Sequence, residues 1–210
     1  MRMNRRKIGL MCGVVAATCL VLAWWVKASA SDEIARLAKL MEWKAGTVVA
    51  DIGAGDGKFS FEAAKRVGAE GRVYATEIDQ DKLKELREEV KKRNLQNVTV
   101  VTSKEADTGL PEGCCDAIFL RHVYHHLTQP GEFDRNLVRS LKPGAHLVVI
   151  DFPPSSNSAL VEGVPKNRGG HGIPEKVLVE ELTAAGLRVE KTIEDWSAND
   201  YCVIFVKRNP

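Results

Sequence analysis

The sequence predicts an α/β protein: a seven-stranded, mostly parallel sheet with helices on both faces and an antiparallel hairpin at its C-terminal end. Three observations carry this expectation. Five short runs rich in β-branched and apolar residues alternate with amphipathic stretches of helical period. A glycine-dense turn, Gly53-Ala54-Gly55-Asp56-Gly57, follows the first run. Two more apolar runs close the chain with only the polar link "EDWSAND" between them, too short for a crossover helix, so they must pair antiparallel.

The elements follow in order. Residues 32–41 read as a short amphipathic helix, with Ile34, Leu37, Leu40 and Met41 on one side. Residues 47–52 form a continuous apolar run, the pattern of a strand buried on both faces. After the glycine turn, 58–67 is helical and 72–78 a second strand. Residues 80–94 carry Leu83, Leu86 and Val90 as an apolar stripe among charges, with Asn94 as a C-terminal stop. Strands follow at 98–102 and 116–120. A helix over 133–141 ends at Lys142-Pro143-Gly144, and 146–152 is the fifth strand. Pro174 opens a helix that runs to Ala185 and stops at Gly186, the usual proline-in, glycine-out asymmetry. Runs at 187–193 and 201–207 make the hairpin.

Composition supports one domain, residues 31–210, behind a distinct leader of residues 1–30. At 210 residues and 44% apolar, the chain can bury one substantial core. The formal charge of +2 misleads, because Arg2, Arg5, Arg6, Lys7 and Lys27 lie in a leader that holds no acid. Removing those five from the 30 basic residues leaves 25 against 28 acids, about −3 for the rest. That part lacks the basic excess that nucleic acid requires.

The leader itself reads as a membrane anchor or an export signal. Residues 8–26 are uncharged, follow a basic cluster, and end at Trp24, Trp25 and Lys27, which favour a bilayer interface. Ala28-Ser29-Ala30 equally fits a small-x-small cleavage site. Basic residues ahead of Ile8 predict a cytoplasmic N-terminus and a domain carried across the membrane. The five cysteines are an odd number without CxxC spacing, so the sequence gives neither a disulfide framework nor a zinc motif.

The glycine turn asks for a particular ligand. A dinucleotide site wants G-x-G-x-x-G, and this turn is spaced G-x-G-x-G. A triphosphate loop ends in Gly-Lys-Ser/Thr, whereas Phe59 follows Gly57-Lys58. Asp51 and Asp56 bracket the turn with negative charge, which suits a cation better than a polyanion. Glu77 ends the second strand about twenty residues on, where an acid can accept hydrogen bonds from ribose hydroxyls. A nucleoside carrying positive charge and no phosphate describes S-adenosylmethionine.

The segments "VVADIGAGDGKF", "VYATEID", "LPEGCCDAIFLRHVYHHL" and "LKPGAHLVVIDF", in this order, resemble the motifs of the class I S-adenosylmethionine-dependent methyltransferases. The resemblance covers residues 33–208 and implies a Rossmann-like sheet with the terminal hairpin. It implies that Asp51, Gly53, Gly55 and Gly57 surround the methionine part of the cofactor and that Glu77 holds the ribose. Glu105, Ala106 and Asp107, ahead of Leu110-Pro111, become candidates for the adenine.

Beyond the cofactor, "LRHVYHHL" puts Arg121, His122, Tyr124, His125 and His126 at the carboxyl end of the fourth strand. Methyl transfer to oxygen or a protonated nitrogen requires removal of a proton, a task for a neutral imidazole. His125 and His126 are the candidate bases and Tyr124 a positioning group; a histidine that only holds the loop is the competing reading. His122 and His126 suit a metal if the segment is helical, but no third ligand stands at suitable spacing, so no metal is expected. Asp151 and His171 are candidates to border the pocket, and the irregular stretch 153–172 is a candidate lid. The acceptor is expected to be a small molecule or a lipid. A non-catalytic cofactor-binding domain and a nucleotide-dependent oxidoreductase are the alternative functions.

Overall fold

A computed structural model describes residues 32–155 and 159–208. The leader, with the anchor and signal readings attached to it, therefore lies outside the described residues, as do residues 156–158 of the irregular stretch. No helix among the described residues is long and apolar enough to cross a membrane. The first described helix, α1, covers residues 32–40 and belongs to a unit of its own, residues 1–40.

The second unit, residues 41–210, holds the sheet. Its strands are β1 (Val48–Ile52), β2 (Arg72–Glu77), β3 (Val98–Thr102), β4 (Cys115–Arg121), β5 (Leu141–Asp151), β6 (Leu187–Ser197) and β7 (Asp200–Lys207). They line up in the order β3-β2-β1-β4-β5-β7-β6. Pairs among the first five are parallel, and β7 is antiparallel to both β5 and β6. The expected sheet and its terminal hairpin are what the chain forms. The order reverses between β1 and β4, and a crevice opens at the carboxyl ends of strands at such a point.

Strand alternation assigns the two faces. Ala50, Ile118, Leu147 and Phe205 stand level across β1, β4, β5 and β7, and all belong to one buried cluster. Helices α4 (Pro130–Ser140) and α5 (Glu175–Ala184) cover that face through Phe133, Leu137, Leu178 and Leu182. On the other face Phe119 meets Trp43 and, from α2 (Lys58–Val67), Phe59. Helix α3 (Gln80–Lys92) joins α2 there, since Arg93 at its end stacks over Phe61.

Local chemistry sets the helix ends. Asp79 caps α3 by accepting from the backbone N–H groups of Asp81 and Lys82, and these bonds hold its carboxyl below the usual carboxylate range. Helix α4 begins at Pro130, three residues ahead of the expected start, because proline fits the first helical turn. The Lys142-Pro143-Gly144 stop lies inside β5 instead of before it. Between β4 and β5 the register passes from Cys115↔Leu141 to Ala117↔His146, so the prolyl segment bulges out opposite Asp116. The Asp116 carboxylate fastens that bulge, accepting from Lys142 Nζ at 2.7 Å and from Val48 N at 2.8 Å. Cys114 and Cys115 are bonded to each other at the amino end of β4, a pairing the odd cysteine total did not announce.

Candidate functional site

The crevice at the switch point is a cavity of about 520 Å³, a size typical of small-molecule sites. One wall comes from the glycine turn and the end of β2. Gly53, at φ 69°, lines this wall, and a Cβ there would stand 2.6 Å from Val123 Cγ2, so glycine is what lets Val123 pack against the turn. Glu77 also lines it and is nearly buried. Its Oε1 accepts from Ile78 N and Asp79 N, and its Oε2 from Gly55 N at 3.1 Å. Three backbone donors leave capacity on the carboxylate for a ligand hydroxyl. Ile78, exposed and apolar, offers a flat surface beside it.

Several expected residues support this wall without lining it. Asp51 lies buried under the turn on the α2 side, accepting from Ser60 Oγ at 2.6 Å. Burial pushes its carboxyl up to about 7, only partly offset by the Ser60 bond, so it is no simple negative charge facing a ligand. Asp56 accepts from Lys58 N within the turn. The expected acidic frame is therefore corrected: Glu77, Asp79 and Glu105 line the cavity, but so do Lys82, Lys104 and Arg121. Such a balanced wall suits a ligand bearing charges of both signs. Gly55 serves through its N–H to Glu77, and Gly57 because a Cβ would strike Phe61 and Leu86. In the loop after β3, Glu105 lines the cavity with Ser103 and Lys104. Ala106 and Asp107 instead shape the loop: Ala106 O accepts from Asn136 Nδ2, and Asp107 pairs its backbone with Lys104 and accepts from Gly109 N.

The opposite wall is the segment after β4. A single 3-10 turn at Tyr124–His126 aims its three side chains in different directions. His126 faces the cavity. Burial, then the neighbouring His125 and His171, lower its pKa, so the ring is neutral at neutral pH. His125 is buried; its Nδ1 lies 2.8 Å from Asp151 Oδ1, its backbone N–H donates to Asp151 Oδ2, and its Nε2 has no hydrogen-bond partner among the described residues. The role expected for Tyr124 is not one its position allows. It is fully buried, and its hydroxyl donates toward Asp134 and Glu181, away from the cavity. Its burial, and then these carboxylates, drive its pKa upward.

Sequence spacing offered His122 as the companion of His126, but His122 turns to Asp200 on β7 at 2.8 Å. The companion is His171, from the long loop. One ligand atom each from His125, His126 and His171 lie within 4.8 Å of one another. Sequence reasoning also missed Arg168. Fully buried, it donates from Nη1 to the carbonyls of Tyr124 and Leu127, and its guanidinium is ion-paired with Glu181. Arginine in a polar, glycine-rich stretch gives no sign of burial.

The strand order, terminal hairpin, glycine turn and acid at the end of β2 are features of the class I S-adenosylmethionine-dependent methyltransferases, which the chain resembles in sequence and in fold. The family profile described as "Methyltransferase domain" matches residues 50–149. Among curated proteins, the demethylmenaquinone methyltransferase of Listeria welshimeri is 30% identical over 113 residues, 54% of this chain and 48% of that protein. The ubiquinone/menaquinone biosynthesis C-methyltransferase UbiE of Idiomarina loihiensis is 29% identical over 108 residues, 51% and 43% of the two chains. The chain thus matches about half the length of these relatives. Among solved structures, a SAM-dependent methyltransferase from Aquifex aeolicus superposes with TM-score 0.68 at 28% identity, covering 82% of this chain and 88% of that one.

Proposed function

We propose that the protein transfers a methyl group from S-adenosylmethionine to a small-molecule acceptor whose nucleophile forms by loss of a proton, a hydroxylated aromatic ring being the class that fits best. The observation that carries this is continuity: one cavity joins Glu77 and Gly53 to His126. The bound cofactor supplies an electrophilic methyl on a sulfonium. Glu77 would hold the ribose, Ile78 would meet the adenine, and Lys104 and Glu105 would border it. The mixed charges of Asp79, Lys82 and Arg121 suit the cofactor's amino-acid end.

On the far wall, neutral His126 lines the same cavity and would take the acceptor's proton, while Leu127 and Phe133 would supply apolar surface for a ring. An aromatic hydroxyl that loses its proton gains electron density at oxygen and at the adjacent ring carbon. This reading therefore covers O-methylation and also the C-methylation named for the relative from Idiomarina loihiensis. A lipid-soluble acceptor would agree with membrane attachment through residues 8–26, and such attachment is part of the proposal.

The test is release of S-adenosylhomocysteine with a panel of hydroquinones, phenols and amines. Turnover with the hydroxylated rings is expected, and His126→Ala should lower it by about a hundredfold or more while sparing cofactor affinity. Cofactor binding without turnover on any acceptor would favour a binding domain. Undiminished turnover in His126→Ala would remove the imidazole from proton transfer.

A further inference from the structure

We propose that one ring nitrogen from each of His125, His126 and His171 binds a single divalent transition-metal ion, zinc(II) being the type. The ligand atoms of these three residues already lie within 4.8 Å of one another. Nitrogen ligands around tetrahedral zinc stand about 3.4 Å apart, given bonds of roughly 2.0–2.1 Å. The remaining closure is small, and His126 and His171 are exposed.

The buried histidine gives the independent sign. Among the described residues, few buried side-chain nitrogens lack a partner, and His125 Nε2 is one of them. With Nδ1 committed to Asp151, the bond fixes the tautomer that leaves Nε2 as a bare lone pair. A carboxylate behind a ligating imidazole is the standard outer support of zinc sites. Asp151 is itself fixed, its Oδ1 accepting also from Phe152 N and its Oδ2 from His125 N.

The third histidine is held to the other two by the fold. Arg168, three residues before His171, is anchored on the carbonyls of Tyr124 and Leu127, which flank His125 and His126. The His171 N–H donates to Ala159 O, fixing its backbone. The Phe152 ring lies 4.8 Å from the His125 ring and 5.2 Å from that of His171, an apolar cover on one side. The neutral form of imidazole is the one that ligates a metal. Three nitrogen ligands without a carboxylate exclude a calcium or magnesium preference and match a catalytic site that keeps one position open.

That open position would face the cavity, since His126 is shared between cluster and cavity. The ion would take over the task given to His126 in the methyltransferase reading above: with that ring ligated, a coordinated acceptor hydroxyl would lose its proton to solvent, and the oxyanion would attack the sulfonium methyl, releasing S-adenosylhomocysteine. The ion site itself does not depend on that reading.

The experiment uses the full-length, untagged, metal-stripped protein, titrated with zinc(II) by calorimetry and with cobalt(II) by visible absorption. A single equivalent is expected, with the d–d bands of a tetrahedral cobalt site. His171→Ala and His126→Ala should each weaken binding at least tenfold, and Asp151→Asn by about ten- to a hundredfold. Exposed His171 can be replaced without emptying the core. Ion affinity within about twofold of the parent in His171→Ala, or no tetrahedral cobalt spectrum, would overturn the site. S-adenosylmethionine binding is measured on the same samples. Cofactor binding without ion binding rejects the metal site alone, whereas ion binding without cofactor binding rejects the methyltransferase reading alone.

Discussion

The two walls of the cavity are built by different means. On the β1–β2 side, backbone does most of the holding: Glu77 sits on three N–H groups and Gly53 contributes no side chain at all. The side-chain bonds that tie this wall together reach back 22 or 23 residues, from one strand end to the next. On the β4–β5 side, charged side chains do the holding, over separations of 44, 57 and 78 residues for Arg168, Glu181 and Asp200. A wall made of backbone can be common to many proteins that bind one cofactor. A wall made of side-chain pairs can be rebuilt for a new acceptor by exchanging the pairs.

If that contrast is right, the largest effect belongs to Arg168. Arg168→Ala would leave the Tyr124 and Leu127 carbonyls and Glu181 without their shared cation. Breaking a buried ion pair from one side costs about 3–5 kcal/mol. The urea midpoint should fall accordingly, and the histidine wall should lose its order before the cofactor wall does. Hydrogen exchange would report this as early opening of residues 122–127 and 159–172. Equal opening of the glycine turn would mean that the two walls are one cooperative unit.

The same contrast explains what was legible in the sequence. The sheet, its hairpin and the glycine wall follow from patterns within a few residues: apolar runs, turn glycines and an acid at a strand end. Two element boundaries went wrong: at Pro130, where proline itself opens the helix, and at Leu141, where a bulge pinned by Asp116 overrode the local stop signal. The histidine wall was only half visible. "HVYHHL" announced histidines, but nothing local tells that Tyr124 points inward, that His122 turns to Asp200, or that His171 arrives from a loop. Those facts depend on which distant side chains meet.

The next effect sharpens the cofactor side. Glu77→Ala should weaken S-adenosylmethionine binding by about 1–3 kcal/mol, the loss typical of hydrogen bonds to a charged group. Glu77→Gln keeps the shape and should fall between parent and alanine variant, because its amide would face the Gly55 N–H. Calorimetry gives both values. A folded alanine variant with parental affinity would take the ribose role from Glu77.

Asp51 on one side and Asp134 on the other are buried carboxyls that burial raises to about 7. A folded value above the usual one near 3.8 means that the native state holds the proton more tightly than the unfolded chain. Stability is therefore highest below about pH 4 as far as these two groups decide it, and is lost as pH rises toward 7. Exposed Asp79 and Glu89 are shifted the other way, so the difference between parent and variant is the useful quantity. Asp134→Asn should flatten the fall in urea midpoint between pH 5 and pH 8 and leave the share due to Asp51. An unchanged slope would mean that Asp134 is already ionised in the native protein.

The smallest effect is expected at Glu105, where the two walls touch. Its carboxylate lines the cavity from the loop after β3 and accepts from Thr128 Oγ1 at 3.4 Å and Gln129 Nε2 at 3.2 Å on the histidine side. Both bonds are exposed, so water replaces them readily, and their removal should cost no more than about 1 kcal/mol. Glu105→Ala should therefore change cofactor affinity by less than about fivefold. Asp107→Ala, two residues on, should leave affinity alone, because that carboxylate only closes the loop onto Gly109 N. The pair measures how far the walls act independently. If they do, the Glu105 and His126 substitutions will add in their effects on turnover; if Glu105 transmits cofactor binding to the histidine turn, the double variant will depart from the sum.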